Sequence, residues 1–208
     1  MKHKVMIVDD QYVSRQMFEL FLKNSDRYEV VFSIDSAMFA STYVLRDNID
    51  LVIMDVLMAD GSCGLDAAYS IKKLKPKIKI VAVTSMPEVS WLDRAREIGI
   101  DSFWYKEASK ETIISVIDRT INGESVYPDK PPLVKIGNAS SYDFTKKEID
   151  VLRILVTGAS DSEISEKLGI TIHTVKTHIK HLLLKTGYDS RTKLAIQARL
   201  TGMVIEDK

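Results

Sequence analysis

Asp50-Leu51-Val52-Ile53-Met54-Asp55 is an unbroken apolar run closed by an acid at each end, and the chain continues as Val56-Leu57-Met58. So short a run with no polar residue inside predicts a strand covered on both faces, as in a parallel sheet between two helical layers. Asp55 falls where the strand stops. Open parallel sheets gather ligands outside the carboxyl ends of their strands, so an acid there is a candidate for chemistry, although acids also open loops for local hydrogen-bonding reasons.

Other strand ends sharpen this reading. Lys4-Val5-Met6-Ile7-Val8 stops at Asp9-Asp10, Lys79-Ile80-Val81-Ala82-Val83 stops at Thr84-Ser85, and Asp101-Ser102-Phe103-Trp104-Tyr105 stops at Lys106. If the strands are parallel, three carboxylates, a hydroxyl and an amine meet at one edge of the sheet. Crowded carboxylates repel one another and are relieved by a hard divalent cation such as Mg²⁺. One of them can then attack phosphorus as an aspartyl nucleophile, with the ammonium and hydroxyl steadying the phosphoryl oxygens.

With Asp9-Asp10, Asp55, Thr84 and Lys106 in order, and Phe103 three residues before the lysine, residues 1–122 resemble the receiver domain of two-component response regulators. The resemblance implies a flavodoxin-like fold, strand order 2-1-3-4-5, with Asp55 as phosphoacceptor, Thr84 and Lys106 as its catalytic partners and Phe103 as an aromatic switch. It also implies a Mg²⁺ held by Asp10, Asp55 and the backbone carbonyl of Leu57, with Asp9 in support. Two positions depart from the family's usual pattern: Ala59 and Glu107 stand where proline is common.

The rest of the first half fits that architecture. Helices are expected over Arg15 to Lys23 with Ser14 as cap, Ser36 to Asp47, Leu65 to Leu74, Trp91 to Ile98 and Lys110 to Asn122, and a further strand over Tyr28 to Phe32. Alternating strand and helix predicts a doubly wound five-stranded α/β parallel sheet. Asp60 to Gly64 is expected to be a flexible loop. Lys plus Arg and Asp plus Glu balance at 29 each in 208 residues, so no overall field selects a partner. The single cysteine, Cys63, excludes an intramolecular disulfide and suits a reducing compartment. No apolar run approaches membrane-spanning length, and a soluble, cytoplasmic protein is expected.

Residues 123–141 hold Pro128, Pro131 and Pro132, three of the five prolines, and are expected to be a semi-extended linker. From Phe144 the pattern is helical: a capping box at Thr145 and Glu148 opens one helix, and Asp161 or Ser162 starts a second that ends at Leu168. A third runs from about His173 to Thr186, and a fourth from Arg191, with Ser190 as cap. Between His173 and Tyr188 there is no acid, while Val175, Ile179 and Leu182 mark an inward stripe that leaves Lys176, Thr177, Lys180 and His181 on the opposite face. After a tight turn, such a face suits a major-groove recognition helix.

This all-α four-helix segment, 142–208, resembles over about Tyr142 to Met203 the LuxR-type helix-turn-helix of the NarL/FixJ response regulators, on Glu163-Ile164, Leu168, Thr174-Val175-Lys176 and His178. Together the two resemblances imply a regulator phosphorylated on Asp55 by a sensor histidine kinase. It would then bind double-stranded promoter DNA to control transcription, as a homodimer through the Arg191 to Gly202 helix, and would not turn over a substrate as an enzyme. Two alternatives are a constitutive DNA binder whose receiver only dimerises, and an aspartyl-phosphate phosphatase. The phosphatase pattern needs a second acid two residues after the nucleophile, where Leu57 stands.

Overall fold

The computed structural model describes residues 2–109 and 111–205 and folds as two compact units, the first formed by residues up to Ser85 and by Ser90–Lys130, the second by Met86–Val89 and the residues from Pro131 onward. In the first, β1 (His3–Val8), β2 (Tyr28–Ile34), β3 (Leu51–Asp55), β4 (Lys79–Thr84) and β5 (Ser102–Tyr105) form one parallel sheet in the order β2-β1-β3-β4-β5. The five helices are α1 (Tyr12–Lys23), α2 (Ala40–Arg46), α3 (Gly64–Leu74), α4 (Trp91–Glu97) and α5 (Ile113–Ile121). The expected order and parallel sense are observed.

Every residue of β3 is buried, as its run required. Alternation along the strands divides the core. Val5, Ile7, Leu51, Ile53, Val81 and Val83 pack with Phe18 and Leu22 of α1 and with Val116 and Ile117 of α5. Two acids fasten the opposite end of the sheet from the candidate site. The Asp50 carboxylate accepts the Lys4 N–H at 2.8 Å. Asp101 accepts the Ile80 N–H at 2.8 Å and both the Lys72 and Lys79 ammonium groups.

Several boundaries differ from expectation. Helix α1 begins at Tyr12 after Gln11, and Ser14, expected as its cap, is buried with its hydroxyl donated to Asp9 Oδ2 at 2.6 Å. Helix α2 is shorter than the predicted Ser36 to Asp47. Ser36 instead donates to Asp60 at 2.6 Å and accepts the Met38 N–H, which holds the chain in a turn ahead of the helix. Helix α5 starts at Ile113, capped by Thr112, and the predicted start at Lys110 lies outside the described residues.

The second unit opens on a two-stranded hairpin, β6 (Lys135–Ile136) and β7 (Ala139–Ser140), within the stretch expected to be linker. Ile136 joins the second core, and the turn's Asn138 N–H donates to the Thr186 carbonyl at 2.9 Å, where α8 (Ile172–Thr186) ends. Helix α6 (Lys146–Leu155) has the expected Thr145 and Glu148 capping box. Helix α7 (Asp161–Leu168) is capped one residue earlier than expected, by Ser160 with Glu163 reaching back, because Ser160 is the hydroxyl three residues before a glutamate. Helix α9 (Arg191–Leu200) is capped by Ser190. Among the described residues no helix is long and apolar enough to cross a membrane.

Candidate functional site: a strand-end acid cluster and a basic helix

Parallel pairing aligns the ends of β1, β3, β4 and β5, and this brings Asp9, Asp10, Asp55, Thr84 and Lys106 to one edge. Lys106 is the hub. Its Nζ lies 2.7 Å from Asp9 Oδ2 and 2.9 Å from Asp55 Oδ2, while its backbone N–H donates to the Thr84 carbonyl at 2.9 Å. Burial works against the lysine's charge, but the Asp55 and Asp9 carboxylates outweigh it and raise its pKa, so the ammonium persists. Burial also pushes Asp55 up to about 6 against the opposing pull of Lys106.

The three acids are not equivalent. Asp9, wholly buried, is saturated by the protein: Oδ1 accepts the Gln11 N–H at 2.9 Å, and Oδ2 accepts Ser14 and Lys106. Asp10 Oδ2 accepts the Ala59 N–H at 2.7 Å, but its Oδ1 is buried with no hydrogen-bond partner among the described residues. A buried, unpartnered carboxylate oxygen is costly unless something cationic meets it. Each of Asp9, Asp10 and Asp55 places an oxygen within 4.8 Å of the others, a cluster that could hold a metal ion. All-oxygen donors of this kind suit a hard divalent cation. Leu57 is flanked by two bonds that close the loop, Gly64 N–H to Val56 C=O at 2.9 Å and Met58 N–H to Ser62 C=O at 3.4 Å, and neither uses its carbonyl.

Three participants were not legible as such in the sequence. Ser14 has the sequence context of a cap, yet in the structure it orients Asp9. Ala59 stands where proline is common, and its N–H, which a proline would lack, fixes Asp10. Gly64, read as loop flexibility, starts α3 so close to β3 that a Cβ would lie 1.8 Å from the Asp55 carbonyl oxygen. Gly64→Ala should therefore displace the strand end that carries Asp55 and cost about 1–3 kcal/mol of stability, measured by urea unfolding. An unchanged midpoint would show that the loop tolerates the shift.

The raised Asp55 pKa has a testable sign. Its folded value, about 6, exceeds the ordinary 3.8, so the stability it contributes is fully present below about pH 4 and lost as pH rises through about 6. In metal-free protein Asp55→Asn, which cannot ionise, should gain on the parent by about 1–3 kcal/mol between pH 4 and pH 7.5. Urea titrations at the two pH values test this, and a constant difference would contradict it.

In the second unit Gly169 closes α7 in the left-handed region at φ 62°, and Thr171 caps α8 after a short turn. Val175, Ile179, Leu182 and Thr186 face the core. Lys176, Lys180 and His181 are exposed and Thr177 is half-buried, its hydroxyl bonded to the His173 carbonyl at 2.9 Å. Among the described residues no carboxylate lies within 4.0 Å of Lys176 or Lys180, whereas Lys185 is held by Glu148 at 2.6 Å and by the Asp143 carbonyl. Lys176 and Lys180 thus form the available basic stripe, and Lys185 is a fastener between α6 and α8. Helix α9 leaves Ile196 and Leu200 exposed.

An α/β unit with this acid cluster, joined to a helix-turn-helix unit, defines a response regulator. A family model described as the response regulator receiver domain matches residues 5–118, and one described as bacterial regulatory proteins, luxR family, matches 143–198. The chain belongs to the response regulators that carry a LuxR-type DNA-binding domain. The response regulator protein VraR of Staphylococcus epidermidis is 36% identical over 201 residues, spanning 94% of this chain and 95% of that one. VraR of Staphylococcus aureus is 35% identical over the same length. Two solved structures share the fold. One is RcsB of Salmonella enterica serovar Typhimurium bound to promoter P1flhDC in the presence of phosphomimetic BeF₃⁻, with TM-score 0.65, 19% identity and coverage of 97% and 99%. The other is an RcsB–DNA complex with TM-score 0.64, 18% identity and coverage of 96% and 98%.

Proposed function

We propose that Asp55 accepts a phosphoryl group from a sensor histidine kinase and that the phosphorylated protein binds promoter DNA through α8 to regulate transcription. The carrying observation is the Lys106 ammonium, bonded to both Asp9 and Asp55 at the end of the sheet. An Asp55 oxygen attacks phosphorus in line while the bond to the donor nitrogen breaks. Lys106 moves its hydrogen bonds toward the transferring oxygens, and the Thr84 hydroxyl binds another as charge develops. A Mg²⁺ held by Asp10, Asp55 and the Leu57 carbonyl, with Asp9 in support, would neutralise charge on the phosphoryl oxygens. Phe103 then repacks with Thr84.

Lys176, Thr177, Lys180 and His181 would face the major groove, and the exposed Ile196 and Leu200 of α9 would join two copies on adjacent half-sites. A cytoplasmic location follows from partnership with DNA. The domain assignment that accompanies this reading is receiver 1–122, linker 123–141 and DNA-binding domain 142–208. The chain is not a turnover enzyme on this reading, since Leu57 stands where a phosphatase of this chemistry needs an acid. Leu57 is 39% exposed at the site and shields the acyl phosphate from water. Leu57→Asn should shorten the phosphoprotein's half-life by about tenfold, one 1.4 kcal/mol step in barrier, and an unchanged decay rate would remove the shielding role.

Genome-wide binding with phosphorylated protein would supply the operator. Affinity for that operator should rise on phosphorylation of the full-length protein. Equal affinity before and after would favour the constitutive binder.

A further inference from the structure

Strand β5 lies at an edge of the sheet, and edge strands offer unpaired backbone groups to further chain. The stretch leaving α5 occupies that edge. Phe103 N–H donates to the Val126 carbonyl at 2.9 Å, and Val126 N–H donates to Ser102 Oγ at 3.0 Å. Ser102 Oγ is 2.6 Å from Thr120 Oγ1, whose proton is committed to the Val116 carbonyl at 2.6 Å, so Ser102 is the donor between the two hydroxyls. This relay is fully buried at Ser102 and Thr120 and anchors the chain's exit from the unit.

Tyr127 completes the attachment. Its hydroxyl donates to the Ile100 carbonyl at 2.8 Å, and burial raises the phenol's pKa, which keeps it a donor. Its ring lies 6.3 Å from Phe103 at 32°, with the Arg96 guanidinium of α4 4.8 Å from its centroid. Phe103 is 1% exposed and packs against Tyr105, 5.1 Å away, as well as Tyr127. In a close-packed setting it cannot change position unless a neighbouring ring yields. Tyr105 is buried within the sheet, whereas Tyr127 is half-buried on chain that is leaving the unit. Of the two rings, Tyr127 is the less enclosed by the sheet.

We propose that Val126 and Tyr127 form a phosphorylation-released clip: a segment without strand pairing, held on the β5 edge by Phe103 and the Ser102 hydroxyl, that detaches when Phe103 repacks and lengthens the proline-bearing linker. This rests on the phosphoacceptor reading of Asp55 and on Phe103 as its switch. Release would be a discrete order-to-disorder step. The proposal makes Tyr127 a positioning residue, without contact to the reacting atoms.

The test is residue-resolved amide hydrogen exchange by NMR on the full chain, with phosphorylation of Asp55 measured by intact mass in the same sample. Phe103 and Val126 amides should be protected in the unphosphorylated protein and exchange about tenfold faster or more once it is phosphorylated. Asp55→Asn treated with the same donor should keep its protection. Tyr127→Ala should exchange fast without donor while labelling at the parent's rate, and Tyr127→Phe, which loses only the bond to Ile100, should fall between. Should Tyr127→Ala fail to fold, the parent and Tyr127→Phe decide alone. Stoichiometric phosphorylation with unchanged protection at both amides overturns the clip and leaves the phosphoacceptor reading standing. Absence of labelling overturns both.

Discussion

Asp55→Asn protein should take up no phosphoryl group from a small phosphodonor in the presence of Mg²⁺, under conditions where the parent is labelled at one acid-labile and base-labile position. In the proposed reaction the nucleophile is the Asp55 carboxylate oxygen, and the carboxamide has no comparable lone pair to offer, so the expected loss is complete. Asn keeps the size and an acceptor for Lys106, so the fold survives. Its gain in metal-free stability at neutral pH provides an independent sign that the variant is folded. Asp10→Asn should label poorly, because it removes charge from the acid with the open buried oxygen. Asp55→Asn labelled as well as the parent would place the phosphoacceptor elsewhere. Mass spectrometry of the labelled peptide would then locate it.

The second large effect concerns α8. Lys176 and Lys180 stand one helical turn apart on the exposed face, without carboxylate partners among the described residues, so their charge is available to DNA. Each should contribute about 1–3 kcal/mol if it reads a guanine edge, and replacing both with Ala should cost about 2–5 kcal/mol on the operator. Discrimination at the contacted base pairs should relax with it. A lysine that contacts only phosphate would instead weaken binding on all sequences alike, with a salt slope shallower by about one unit per lysine. Titrations on operator and scrambled DNA at several salt concentrations separate the two roles. Lys185→Ala is the control: its ammonium is bound to Glu148, so the variant should lose stability more than base discrimination. If the double variant binds as the parent does, α8 is not the reading helix.

The class of the first unit follows from local chemistry in the sequence. Four apolar runs ending in Asp9-Asp10, Asp55, Thr84 and Lys106 need only the parallel sense of the strands to converge, and that sense follows from the alternation of strand and helix. The basic stripe of α8 was equally legible, because 3.6-residue periodicity alone separates Val175, Ile179 and Leu182 from Lys176 and Lys180. Helix starts were less so where a side chain had two possible partners: Ser14 serves Asp9 instead of a helix N-terminus, and Ser36 serves Asp60.

Only the tertiary structure could decide which acids are saturated and which remain open. Asp9 and Asp10 are neighbours of identical type, and their difference lies in donors brought from distant chain, Lys106 to one and the Ala59 N–H to the other. It likewise decided that Gly64 is demanded by the Asp55 carbonyl, and that Val126 and Tyr127, which read as linker, are bonded to Phe103 of β5 and to Ile100 just ahead of it. The reason is the same in each case. Periodicity and composition report what a residue does with its neighbours along the chain. Hydrogen-bond satisfaction and close packing depend on atoms from residues well beyond a residue's own element, and these meet only when the sheet has closed.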